Sequence, residues 1–112
     1  MLLAAQPVCM TGLGHDCVPL AQIASIVGGK RHTCTVDVDG RAWCWGDNER
    51  GQLGDGTTLT RSNATPVCAS GAGPGCTQLS GVVALAAGQR HTCALRDDSS
   101  MMCWGYNGDG AA

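Results

Sequence analysis

Arg31-His32-Thr33-Cys34, followed by Cys44-Trp45-Gly46, recurs as Arg90-His91-Thr92-Cys93 followed by Cys103-Trp104-Gly105. The offset is 59 residues, and every cysteine obeys it: Cys9, Cys17, Cys34 and Cys44 map onto Cys68, Cys76, Cys93 and Cys103. Pro7-Val8-Cys9 returns as Pro66-Val67-Cys68, and Asn48 as Asn107. Residues 1–53 laid over 60–112 without a gap share 19 identities in 53 positions. A fixed period of that length marks a repeat architecture. The chain therefore reads as a first repeat over residues 1–59, starting inside a structural unit, and a second over residues 60–112, cut short at its C-terminal end.

The repeat reads as β. Ile23-Ala24-Ser25-Ile26-Val27 and Val82-Val83-Ala84-Leu85-Ala86 are short apolar runs closed by Gly-rich punctuation, and each leads into a hairpin pattern. In the first copy His32 to Asp37 goes out, Val38-Asp39-Gly40 turns, and Arg41 to Gly46 returns. A three-residue loop with Gly40 at positive φ sets Val36 opposite Ala42 and Cys34 opposite Cys44. In the second copy Asp97-Asp98-Ser99 is the loop, and Cys93 meets Cys103. There Ser99 replaces the glycine, which predicts a strained turn. One face of the first hairpin carries His32, Cys34, Val36, Ala42 and Cys44, the other Thr33, Thr35, Trp43 and Trp45. Both suit burial, as in a blade packed between neighbours.

Composition narrows the function classes. The chain has 112 residues, 44% of them hydrophobic, so it is no disordered tail. No apolar run approaches the roughly 18 residues of a membrane span. A net charge of −2 argues against a nucleic-acid partner. Eight cysteines in so short a chain imply disulfides in an oxidising compartment, or metal in a reducing one.

The ordered series Gly29-Lys30-Arg31-His32-Thr33-Cys34, Asp39-Gly40-Arg41-Ala42-Trp43-Cys44-Trp45-Gly46-Asp47-Asn48 and Gly51-Gln52-Leu53-Gly54-Asp55-Gly56 resembles the regulator of chromosome condensation repeat. Gly88 to Cys93 repeats its first part. The resemblance implies an all-β fold with four-stranded blades in a seven-bladed propeller. It implies Gly29, His32, Trp45, Gly46, Gly88, His91, Trp104 and Gly105 as structural repeat residues. The cysteine load resembles a secreted bacterial variant, in a superfamily shared with β-lactamase-inhibitory propellers. About two blades fit in this chain, which is then expected to be a fragment of a larger ring. Met1-Leu2-Leu3-Ala4-Ala5 is too short for a signal peptide, so any such signal would lie upstream.

Eight cysteines allow 105 connectivities. Pairing within each repeat, in the same way in both, leaves three. Cross-strand opposition favours Cys34–Cys44 and Cys93–Cys103. Cys9–Cys17 and Cys68–Cys76 then close short loops containing Gly12 and Gly14, or Gly71, Gly73, Pro74 and Gly75. The alternative is zinc on His32, Cys34 and Cys44, although the Cys-x-x-Cys knuckle is missing.

Other chemistry is weakly supported. His32 and His91 stand beside Cys34 and Cys93, but a disulfide sulfur is no nucleophile. Gly51 to Gly56 lacks the Lys-Ser/Thr of a phosphate loop. Asp37, Asp39, Asp47, Glu49 and Asp55 read as turn residues, with glycine misplaced for a calcium loop. Trp43, Trp45 and Trp104 read as packing between blades. Asn63-Ala64-Thr65 is a sequon followed by Pro66, taken as incidental.

The resulting expectation is a non-enzymatic protein-interaction module, extracellular or in the cell envelope, with no cofactor, metal or catalytic residue. Its partner is a protein not identified by the sequence, besides further blades or a second copy. Recognition is expected on rim loops such as 47–60 or 68–76. The alternative implied by the resemblance is nucleotide exchange on a small GTPase with chromatin docking.

Overall fold

The computed structural model describes residues 8–12, 17–73 and 75–106. Every regular element among them is a strand, and no helix there is long and apolar enough to cross a membrane. The strands are β1 Cys9–Thr11, β2 Val18–Pro19, β3 Ile23–Gly28, β4 His32–Asp37, β5 Ala42–Gly46, β6 Arg61–Pro66, β7 Cys68–Ser70, β8 Thr77–Gln78, β9 Val82–Ala87, β10 His91–Arg96 and β11 Met101–Gly105. β3-β4-β5-β6 form one antiparallel sheet, and β9-β10-β11 form a second with three strands among the described residues. β1–β2 and β7–β8 are small hairpins, the latter connecting the two sheets.

The hairpins take the register that the loop length dictates. Cys34 faces Cys44 and Val36 faces Ala42, and the Asp37 amide donates to the Arg41 carbonyl at 3.0 Å. Gly40 turns at φ +81°. Cys93 faces Cys103 in the second hairpin, where Ser99 is held at φ +70°. A side chain in that region strains the backbone, the cost of losing the glycine.

Sheet and sequence repeat are out of phase. β6, the outer strand of the first blade, comes from the opening residues of the second sequence repeat. The 59-residue period thus runs from the outer strand of one blade through three strands of the next. Among the described residues the second sheet holds counterparts of β3, β4 and β5.

The core lies in the seam between the two sheets. Cys34, Val36, Ala42 and Cys44 on the first blade meet Leu79, Val82 and Ala94 of the second, with Leu53 and Val67 filling the space between. Backbone hydrogen bonds cross the seam from Val82 N to Gly40 O (2.9 Å) and from Lys30 N to Gln89 O (3.0 Å). Four disulfides, Cys9–Cys17, Cys34–Cys44, Cys68–Cys76 and Cys93–Cys103, take up all eight cysteines. Gly14, Pro74 and Asn107, used in the sequence reading, lie outside the described residues.

Candidate functional site

The repeat residues converge on the seam. The His32 ring folds back on Gly29, where a Cβ would collide with the ring and lie 2.7 Å from Gly88 O. Glycine three residues before the histidine is therefore a steric requirement, and Gly88 stands in the same relation to His91. With its ring so placed, His32 Nε2 lies 2.9 Å from Thr92 Oγ1 of the next blade. The Thr92 hydroxyl donates onward to Gln52 O at 3.4 Å, so Nε2 carries the proton and Nδ1 is left without a partner. Burial pushes the His32 pKa below its ordinary value. His91, on the open face of the second blade, is half-buried. Gly46 and Gly105 adopt φ +112° and +110°, each closing a strand against the corner before the paired histidine.

The connection 47–60 is a wedge rather than a free loop. Leu53 is fully buried, and Gly54, at φ +68°, lies under the Trp104 indole, where a Cβ would approach Cδ1 at 2.8 Å. Trp104 therefore packs between blades, whereas Trp43 and Trp45 are half-buried on the other face of the first blade. Asn48 and Asp55, both fully buried, hold the wedge. Asn48 Nδ2 donates to Asp55 Oδ1 (3.1 Å) and Leu59 O (3.0 Å), and its Oδ1 accepts from Leu53 N (3.0 Å). Asp55 pairs with Arg61 at 3.1 Å. Burial alone would raise the Asp55 carboxyl, but hydrogen bonds from Thr57 and Asn48 and the Arg61 charge outweigh it and lower its pKa. This corrects the expectation that 47–60 serves recognition as a whole: its centre is committed to the seam. The pattern of a buried Asn and Asp around a Leu was present in the sequence, but nothing local distinguishes it from a polar turn.

The acids do turn work. Asp37 Oδ1 accepts from Asp39 N and Arg41 N, and its Oδ2 accepts from Trp43 Nε1 at 3.1 Å. Cys34 and Cys44, bonded to each other, cannot offer thiolates beside His32. Among the described residues no three His, Cys, Asp or Glu side chains are grouped to hold a metal ion.

Charged side chains line both rims. At the β3–β4 and β9–β10 corners and the β5–β6 connection, Lys30, Arg31, Asp47, Glu49, Arg50, Gln52, Gln89 and Arg90 line a cleft of about 110 Å³. Arg50 lies over the Tyr106 ring at 4.9 Å. At the opposite rim Asp37, Asp39 and Asp97 line an open groove.

The regulator of chromosome condensation (RCC1) repeat matches residues 39–95, and a second form of that repeat matches residues 23–52 and 82–111. The chain is 30% identical over 95 residues to Protein RCC2 homolog of Danio rerio, covering 83% of this chain and 18% of that one. It is 32% identical over 88 residues to the Ultraviolet-B receptor UVR8 of Arabidopsis thaliana, covering 79% and 18%. The structure of Prp20p from Saccharomyces cerevisiae, described together with its binding to Gsp1p and histones, matches with a TM-score of 0.61 at 27% identity. That match covers 76% of this chain and 18% of Prp20p. Human WBSCR16, at 19% identity and a TM-score of 0.60, shares the fold. The chain spans less than a fifth of the length of these curated relatives. With blades, seam and repeat motifs all in agreement, the chain belongs to the regulator of chromosome condensation (RCC1) repeat family.

Proposed function

We propose that this chain is a non-enzymatic protein-interaction module whose reading surface is the cationic rim. The observation that carries this is the cleft in which Lys30, Arg31, Arg50 and Arg90 outnumber Asp47 and Glu49, with Lys30, Arg31 and Arg90 supplied by the same corner of two successive blades. Lys30, Arg31 and Arg90 are exposed there, while the buried polar groups of the seam are engaged in holding the blades together. Cationic side chains on a rigid scaffold favour an acidic protein surface and steer its approach. Four disulfides and no free thiol fit an extracellular or envelope location.

The test is capture from secreted and envelope extracts by the oxidised protein, compared with an Arg31→Glu/Arg90→Glu variant. Partners held by the native rim, released by salt and lost in the variant, support the reading. Equal capture by both refutes it, as does turnover in an esterase or glycosidase screen.

A second reading, guanine-nucleotide exchange with chromatin docking, draws on the likeness to Prp20p, whose reported binding is to Gsp1p and histones. Accelerated nucleotide release from a small GTPase would favour it over the first.

A further inference from the structure

Building on the cationic rim as the reading surface, we infer that its cleft receives a single carboxylate side chain, Asp or Glu, projecting from an acidic protein partner, and that Arg50 is the residue that grips it. Size sets the first limit. Pockets for small molecules run to roughly 300–1,000 Å³, whereas this cleft holds about 110 Å³. It has room for the tip of an inserted side chain and not for a whole ligand.

Charge sets the second. Lys30, Arg31 and Arg90 are exposed, and none of them has an ion-pair partner among the described residues. Of the two acids in the cleft, Asp47 is already engaged. Its Oδ2 accepts from Gln52 Nε2 at 3.1 Å, and its Oδ1 from the Glu49 amide at 3.4 Å. Four positive side chains thus face two negative ones, and one of those is held back by the buried Gln52. The pull on an anion grows in proportion to its charge, but the cost of stripping its water grows with the square of that charge. So modest a surplus favours a monoanionic carboxylate over a dianionic phosphate.

The scaffold fixes where the charges stand. Lys30 N donates to Gln89 O at 3.0 Å, which joins the two corners. Arg31 O accepts from Asp47 N (2.8 Å) and Arg90 O from Tyr106 N (2.9 Å), so each corner is tied to the residue that follows its hairpin. Arg50 N donates to Gln52 Oε1 at 2.8 Å, the same buried side chain that holds Asp47. The Arg50 guanidinium lies over the Tyr106 ring at 4.9 Å, a first-blade connection stacked on the end of the second blade. A stacked guanidinium keeps its planar fork of N–H donors, which matches the two oxygens of a carboxylate. Stacking also fixes the long side chain before the partner arrives, so less freedom is lost on binding. Arg50 is the contact and Tyr106 its positioning residue.

An NMR titration of the oxidised, isotope-labelled full chain tests this through the arginine Nε–H signals. The probe is an acetyl-Gly-Glu-Gly-Glu-Gly-amide peptide, set against its glutamine and phosphoserine counterparts. The glutamate peptide is expected to shift the Arg50 signal saturably, and the glutamine peptide to leave it in place. Arg50→Lys keeps the charge and loses the fork, and is expected to weaken binding about tenfold. Tyr106→Leu is expected to weaken binding as well, whereas Tyr106→Phe, which keeps the ring, retains it. Arg41→Lys, at the opposite rim, is expected to change nothing. Equal binding by Arg50→Lys and the native chain, a stronger response to the phosphoserine peptide, or no saturable shift at all would overturn the inference. If Arg31→Glu/Arg90→Glu abolishes binding and Arg50→Lys does not, the cationic rim stands and the Arg50 receptor falls. If neither variant weakens binding, both fall.

Discussion

His32 Nε2 and Thr92 Oγ1, 60 residues apart in the chain, meet at 2.9 Å across the blade seam. Each residue belongs to the same Arg-His-Thr-Cys motif in a different copy. The motif is thus a two-sided fastener: its histidine reaches forward to the next blade, and its threonine receives the histidine of the blade before.

Thr92→Val keeps the shape and removes the hydroxyl. It leaves the His32 Nε2–H without its acceptor in a buried site. Such an orphaned donor costs about 1–3 kcal/mol, which urea unfolding under oxidising conditions will register as a lower midpoint with an unchanged slope. The half-buried Thr33→Val is expected to change the midpoint of the isolated chain far less.

The same pair makes the seam sensitive to acid. The folded-state pKa of His32 lies below 6.5, so below pH 6.5 the unfolded chain binds more protons than the folded one. Stability is therefore complete above that pH and falls as pH descends through the window below it. His32→Gln is expected to flatten the loss in that window. Asp55, whose carboxyl is also held below its ordinary value of 3.8, adds a further loss as pH falls below 3.8. Thermal unfolding from pH 8 to pH 3 separates the two phases.

Leu53→Ala empties the centre of the seam, where the side chain is fully buried. A cost of about 2–5 kcal/mol is expected from lost transfer energy and the cavity left behind. Gly54→Val meets both the Trp104 indole and an unfavourable positive φ, and is expected to be at least as damaging. Trp fluorescence will follow the exposure of Trp104 in both variants.

Ser99→Gly tests backbone strain in isolation. Relief of the left-handed conformation at φ +70° is expected to outweigh the added entropy of glycine in the unfolded chain. A gain of roughly 0.5–1 kcal/mol follows. Gly40→Ser, at the matching turn of the first hairpin, is expected to cost a similar amount.

Much of the fold was legible because period, loop length and strand alternation are local quantities. Val38-Asp39-Gly40 allowed one hairpin register, and that register opposed Cys34 to Cys44 before any coordinates were needed. The Cys9–Cys17 and Cys68–Cys76 bridges followed from repeat symmetry. The role of 47–60 was not legible. Gly51 to Gly56 reads as a polar turn, and only packing against Trp104 shows it to be part of the core. The rim cleft was equally hidden, because Lys30, Arg50 and Arg90 are scattered along the chain and converge only when two corners are stacked.

The amino-acid order by itself determined a repeating β unit, its hairpins and the pairing of its cysteines, since these depend on neighbours within about ten residues. Only the tertiary structure decided where one blade stops and the next begins, which face of each is covered, and that His32 meets Thr92 rather than a residue of its own sheet. Those outcomes depend on how two sheets bury their apolar faces together. The hydrophobic effect that drives this burial is non-directional, so it writes no register into the sequence. The close fit of glycine, histidine and leucine at the seam selects the arrangement.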